Sequence, residues 1–242
     1  KSGLNSLRKQ RNRSVRFLFG KNAFLQLKII ERLENMFQRQ NVLNQYLARF
    51  ASFGLADDAG HFELIHQPAG NYIAGYRQME KAYKEGKVRA IGLSNFNEAQ
   101  IREILEICEV KPSVLQTEVH PYSQEKALKQ FLAQEGMVIQ AWYPLGHGDK
   151  ALINEPLFTE LAQKYGKSNV QIILRWHIQD GNIVIPGSKN AEHIRDNFDL
   201  FDFSLSDEEM AKIAAMDQKK RYYTSTPEML DRYVQMVPPV DE

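Results

Sequence analysis

From about residue 61 the chain alternates short apolar runs with longer stretches whose apolar positions recur every three or four residues. The runs are HFELIH (61–66), VRAIGL (88–93), VLQTEV (114–119), MVIQAWY (137–143) and IVIP (183–186). Each has the length of a strand. Between and after them lie helical patterns with legible starts. NEAQIREILEICE opens on Asn97 with Gln100 three residues on, SNVQIILRWHIQ on Ser168 with Gln171, and SDEEMAKIAAMD on Ser206 with Glu209. In each pair the first side chain can take the N–H of the third helical residue while that residue reaches back. Strand–helix alternation of this kind predicts parallel strands joined by right-handed crossovers, hence a helix-covered sheet that is either a barrel or open.

The polar residues choose between these two. Every apolar run ends in a polar or Gly/Pro cluster: HQPAG, SNFN, EVHPY, YPLGHG and PGSKN. Functional groups gathered at the C-terminal ends of five successive strands favour a (β/α)8 barrel of TIM type. Doubly wound sheets carry such groups at fewer strands. No G-x-G-x-x-G occurs, so a Rossmann nucleotide site has no support.

Residues 1–60 break the rhythm. They carry eleven Lys and Arg against four Asp and Glu, whereas the remainder carries twenty against twenty-six. Their best pattern is one helix-like stretch from Phe24 to Phe50, with Leu25, Ile29, Leu33, Phe37, Leu43 and Leu47 near helical spacing. The chain therefore divides into a basic, mostly helical segment, 1–60, and a barrel-like portion, 61–242. Five strand–helix units fill the latter at roughly 36 residues each; three more would need about 110 residues where 60 stand. The barrel is expected to be incomplete at its N-terminal side, with two open strand edges and low stability.

Bulk properties exclude more than they identify. The formal net charge of +1 names no partner. RKQRNR in the front segment has few interleaved aromatics and no nucleic-acid motif, so a solvated basic helix is expected and no nucleic-acid partner. No run approaches the roughly 18 apolar residues that cross a bilayer, so no membrane association is expected. KSGLNSLRKQ lacks a signal peptide's apolar core. Cys108, the single cysteine, falls in helical-looking REILEICEV and reads as a buried free thiol. A monomeric protein in a reduced, cytoplasmic compartment fits. His120 in EVHPY and His147 in LGHGD belong to no short-spaced ligand set, so no metal is expected; His120 reads as structural or pocket-lining.

The motifs LIHQP, GKVRAIGLSNFN, LQTEVHPY, AWYPLGHGD and IVIPGSKNAEHIRDN resemble the aldo-keto reductases in order and spacing, from about residue 61 to about 217. That resemblance implies a (β/α)8 barrel using NADP(H), in preference to NAD(H), to reduce small aldehydes and ketones. His66 falls on the histidine that orients and polarises the carbonyl, where oxygen gains negative charge during hydride transfer. Ser94, Asn95 and Gln116 fall on residues that hold the nicotinamide carboxamide, and Trp142 on the aromatic ring beneath the nicotinamide. Leu145 and Gly146 lie where backbone approaches the pyrophosphate. Ser188, Lys189 and Asn197 lie at the adenosine end.

The chain departs from the family at two kinds of position. Many NADPH-specific members have Lys in place of Gly187 and Arg in place of His193; Lys189 and Arg195 are nearby cations that suit a 2′-phosphate. The family's aspartate, tyrosine and lysine come from its first three strands, the aspartate in a GFRxxDTA-like stretch, and residues 1–60 contain no such stretch. Lys21, in FLFGK, stands where a degraded third strand would put the lysine, but its separation from His66 is too long. A truncated or frame-altered N-terminus explains this best, ahead of a replacement domain or a basic arm. Two readings stay open: a carbonyl reductase, which needs a tyrosine near His66 in space, and a catalytically silent nicotinamide-binding or interaction protein, which does not. Tyr222 and Tyr223, in the C-terminal tail, suit apolar or aromatic carbonyls and equally suit packing.

Overall fold

The computed structural model describes residues 62–235; Lys21 and the 24–50 helix pattern lie outside them. Five strands, β1 (Phe62–Ile65), β2 (Ala90–Ser94), β3 (Val114–Glu118), β4 (Val138–Trp142) and β5 (Ile183–Val184), form one sheet in sequence order. Every neighbouring pair is parallel. Among the described residues β1 and β5 each pair on one side only.

The crossovers are helical. Helix α1 (Tyr72–Lys84) follows β1, α2 (Glu98–Ile107) follows β2 and α3 (Lys126–Gln134) follows β3. After β4 come a short 3-10 turn (Gly146–Gly148), then α4 (Lys150–Ile153), α5 (Pro156–Tyr165) and α6 (Asn169–Gln179). Helices α7 (Ala191–Asp196), α8 (Asp207–Ala214) and α9 (Pro227–Gln235) follow β5. The three capping boxes read from the sequence are formed, at Asn97/Gln100, Ser168/Gln171 and Ser206/Glu209. Such caps contribute about 1 kcal/mol each.

Because side chains alternate along a strand, each strand presents two different faces. Ile91, Leu93, Leu115, Ile139 and Ala141 share one face and join a single core with Tyr76, Ile101, Ile104, Leu132 and Ile172 from the helices. The other face is apolar toward the strand starts, with Leu64, Ala90, Val114 and Val138, and polar toward their ends, with Ser94, Gln116, Glu118 and Gln140 beside Trp142. Gly92 lies on that second face, where a Cβ would stand 2.7 Å from both Leu64 Cδ2 and Val114 O, so the position takes glycine. Truncating a fully buried core residue such as Ile104 to Ala is expected to cost about 2–5 kcal/mol.

The loop after α2 is fastened to α1. Glu80 accepts the main-chain N–H of Glu109 and Val110 at 2.6 and 2.8 Å, and the Tyr76 hydroxyl donates to Val110 O at 2.7 Å. Cys108 is the C-cap of α2 rather than an interior helical residue, and it is half-buried rather than buried. The helix stops two residues short of its periodic pattern, because the backbone turns extended at that cysteine.

Candidate functional site

Strand register brings the polar residues together. Ser94 pairs with Gln116, Gln116 with Gln140 and Glu118 with Trp142, so one polar row crosses β2, β3 and β4 near their C-terminal ends. Ser94 is fully buried, and Gln116 donates its amide N–H to Gln140 Oε1 at 2.6 Å. Just past β2, Asn95 takes a left-handed backbone (φ 63°), uncommon outside glycine. From there it donates Nδ2–H to His66 O and Ser94 Oγ, both at 3.2 Å, while its Oδ1 receives the Trp142 indole N–H at 3.0 Å. Its own main-chain N–H donates to Gln116 O at 2.9 Å. Four of the expected residues are thus joined through hydrogen bonds, and His66 is tied in through its carbonyl. His66 itself is exposed, at the end of β1.

After β4 the chain bends sharply. Tyr143 (φ 51°), Gly146 (φ 59°) and His147 (φ 58°) all have left-handed backbone. For Tyr143 and His147 this is strain of the kind found at binding loops. A Cβ on Gly146 would approach Leu152 Cδ2 to 2.5 Å and Tyr222 Cε2 to 3.0 Å, so only glycine fits. Leu145 is half-buried against both apolar clusters. The loop is held from beneath by His177 of α6, whose Nε2–H donates to Pro144 O at 3.0 Å while Asn182 Nδ2 faces its Nδ1 at 3.3 Å. Burial pushes the His177 imidazole down to about 3, so the ring stays neutral.

Ser188, Lys189 and Asn197 form a separate group around α7. Ser188 Oγ accepts from Asn190 N at 3.1 Å, Asn190 caps the helix and Asn197 closes it. Lys189 is exposed. The helix is tied to α6 where Gln171 Nε2–H donates to Asp196 O at 3.2 Å.

Two further residues stand at the site, one that no motif singles out and one that the tail offers for the pocket or for packing. Glu118, at the end of β3, is a fully buried carboxylate facing His120 Nε2 at 3.0 Å. Its one visible signal is an acid inside an otherwise buried strand. Burial works to raise its pKa, but hydrogen bonds from His120 and from the main chain of Tyr222 and Tyr223 outweigh that and hold it below the ordinary carboxylate value. The other is Tyr223, whose hydroxyl receives Gln67 Nε2–H at 3.2 Å and whose ring meets Trp142 edge-on at 5.2 Å. A phenol therefore stands beside the loop that carries His66. His120 is fully buried, in keeping with a structural role. Among the described residues no His, Cys, Asp and Glu cluster is arranged to hold a metal, and no helix is long and apolar enough to cross a membrane.

A parallel sheet with polar, partly strained groups at the carboxyl ends of its strands defines an α/β ligand-binding or catalytic protein. The model of the Aldo/keto reductase family matches residues 64–218. Glyoxal reductase of Bacillus subtilis (strain 168) is 41% identical over 168 residues, covering 69% of this chain and 60% of that protein. A 9,11-endoperoxide prostaglandin H2 reductase of Trypanosoma cruzi (strain CL Brener) is 40% identical over 160 residues, covering 65% and 56%. Among solved structures, an aldo-keto reductase enzyme from a Medee basin deep-sea metagenome library superposes with a TM-score of 0.67 at 33% identity, covering 76% of this chain and 68% of that one. The Bombyx mori aldo-keto reductase in complex with NADP gives 0.64 at 33% identity, covering 73% and 64%. This chain belongs to the aldo/keto reductase family, and its fold is of the (β/α)8 TIM-barrel type. It spans 56–60% of the length of the two curated relatives.

Proposed function

We propose that residues 61–242 are the barrel portion of a carbonyl reductase that binds NADP(H), in preference to NAD(H), and reduces small aldehydes or ketones to alcohols. The observation that carries this reading is the joined group at the ends of β2, β3 and β4: Ser94, Asn95 and Gln116 beside Trp142. A nicotinamide fits this group chemically. Its carboxamide has one acceptor and two donors, the hydroxyl and two amides offer both, and the flat indole is a surface for a flat ring. When bound, the reduced nicotinamide supplies a hydride to the carbonyl carbon.

The remaining work belongs to the chain. Three polar side chains on one carboxamide set which ring face is presented. His66, at the mouth, is assigned to donate to the carbonyl oxygen as charge builds there. Leu145 and Gly146 offer backbone to the pyrophosphate, in a bend that Gly146 permits by leaving room for Leu152 and Tyr222. Ser188 and Asn197 hold the adenosine end, while Lys189 meets the 2′-phosphate. The single, unpaired cysteine suits a reduced cytoplasmic setting, and we expect a monomer.

The second reading, a nicotinamide binder without turnover, is favoured by the family match beginning at residue 64, behind the strands that bear the aspartate, tyrosine and lysine in the resemblance described above. Titration with NADPH by cofactor fluorescence, followed by NADPH oxidation with benzaldehyde, separates the two. Binding with turnover is expected. Binding without turnover supports the silent binder, and no binding defeats both.

A further inference from the structure

Glu118 does more than close β3. Both of its oxygens are engaged: Oε1 by Tyr222 N–H at 2.6 Å and by His120 Nε2 at 3.0 Å, Oε2 by Tyr223 N–H at 2.9 Å with Arg221 Nε 3.9 Å away. Two consecutive main-chain N–H groups, 104 and 105 residues further along the chain, thus end on one fully buried carboxylate. Burying a carboxylate is costly unless donors surround it. Here the donors come from the irregular segment between α8 and α9, whose own hydrogen bonds a helix or strand does not satisfy.

The clamp sets two rings. Tyr222 lies 5.0 Å from the His120 ring, covers Gly146 and hydrogen-bonds through its hydroxyl to the Asp149 carboxylate. It braces the strained loop after β4. Tyr223 points the other way, edge-on to Trp142, with its hydroxyl receiving Gln67 Nε2–H and Ser225 Oγ–H at 3.2 Å each. Glu118 and Trp142 are register partners on the same face of the sheet, so the clamp sits directly beside the indole.

We propose that Glu118 is a positioning residue: by receiving the N–H groups of Tyr222 and Tyr223 it fastens the C-terminal segment across the site, so that Tyr223, braced edge-on against Trp142, presents a fixed ring to flat aromatic aldehydes. The proposal rests on the reductase reading. It assigns Glu118 no contact with the reacting atoms; its effect passes through Tyr223.

The test uses the full chain and Glu118→Gln, in which one carboxylate oxygen becomes an N–H2 donor facing an N–H donor. Amide hydrogen exchange at Tyr222 and Tyr223 is expected to quicken at least tenfold. KM for benzaldehyde is expected to rise about tenfold with kcat changed less than threefold, because substrate placement and not the chemistry is disturbed. Tyr223→Ala, which leaves the buried carboxylate intact, should raise KM similarly, and the double variant should be no worse than the poorer single one. Native exchange in Glu118→Gln, an unchanged KM, or additive losses would each overturn the positioning role. A wild-type chain that binds NADPH without turnover overturns the reductase reading and the substrate role together, so the two failures are distinguishable.

Discussion

The two halves of the candidate cofactor site are built differently. At the ends of β2, β3 and β4, Ser94, Asn95, Gln116 and Trp142 are held by strand register and by one another. Around α7, Ser188, Lys189 and Asn197 depend on local turns and a six-residue helix. Strand pairing fixes backbone positions across the whole sheet, so polar groups there are in place before a ligand arrives. Side chains on a short exposed helix are ordered chiefly by what they bind. The first half should therefore carry orientation and most of the cofactor affinity, the second discrimination between related cofactors.

The largest effect should follow removal of the indole. Trp142→Ala loses both the flat surface and the N–H that holds Asn95, and NADPH Kd by fluorescence titration is expected to rise about a hundredfold, roughly 2.7 kcal/mol. A change under threefold would place affinity elsewhere and break the comparison.

Acid comes next, through the support under the β4 loop. The unfolded chain protonates His177 near its ordinary value of 6.5, whereas the fold holds it down to about 3. Below 6.5 the unfolded state thus binds more protons. The stabilising contribution is whole above pH 6.5 and drains away as pH falls toward 3. Each pH unit in that window is about 1.4 kcal/mol, so moving from pH 7 to 5 should remove about 2 kcal/mol. His177→Gln, which lacks the titrating ring, should show that much less acid sensitivity in urea unfolding.

The strained strand end gives a smaller effect. Asn95→Ala and Asn95→Gly lose the same hydrogen bonds, but only alanine must hold a left-handed backbone, so glycine should be more stable by about 1 kcal/mol. Equal unfolding midpoints would show that the bend relaxes. The smallest effect belongs to the α7 group. Lys189→Met should lower the preference for NADPH over NADH, measured as a ratio of Kd values, by about three- to tenfold, as expected for one exposed cation. Loss of all NADPH binding would make the two halves equal.

What was legible in the sequence was local. The five strands and three capping boxes depend on neighbours within a few residues, and they stand where the pattern put them. The expected nicotinamide residues were named from motifs, but their joining depends on register: the Gln116–Gln140 pair spans 24 residues and the Trp142–Asn95 bond 47. Glu118 was read as one letter in EVHPY because its partners lie more than a hundred residues away, and main-chain N–H groups leave no mark in a sequence. Cys108 was misread for the opposite reason: a helix end without a glycine or proline stop gave periodicity nothing to halt it.

If the group at the ends of β2–β4 seats the nicotinamide, the indole of Trp142 must sense it. The most direct measurement is the NMR spectrum of the two indole N–H groups, of Trp142 and Trp176, during titration with NADPH. The Trp142 resonance, whose proton is shared with Asn95 Oδ1, should shift with occupancy while that of the core residue Trp176 stays in place. Saturable NADPH binding that leaves Trp142 unmoved would put the nicotinamide somewhere other than the ends of β2–β4.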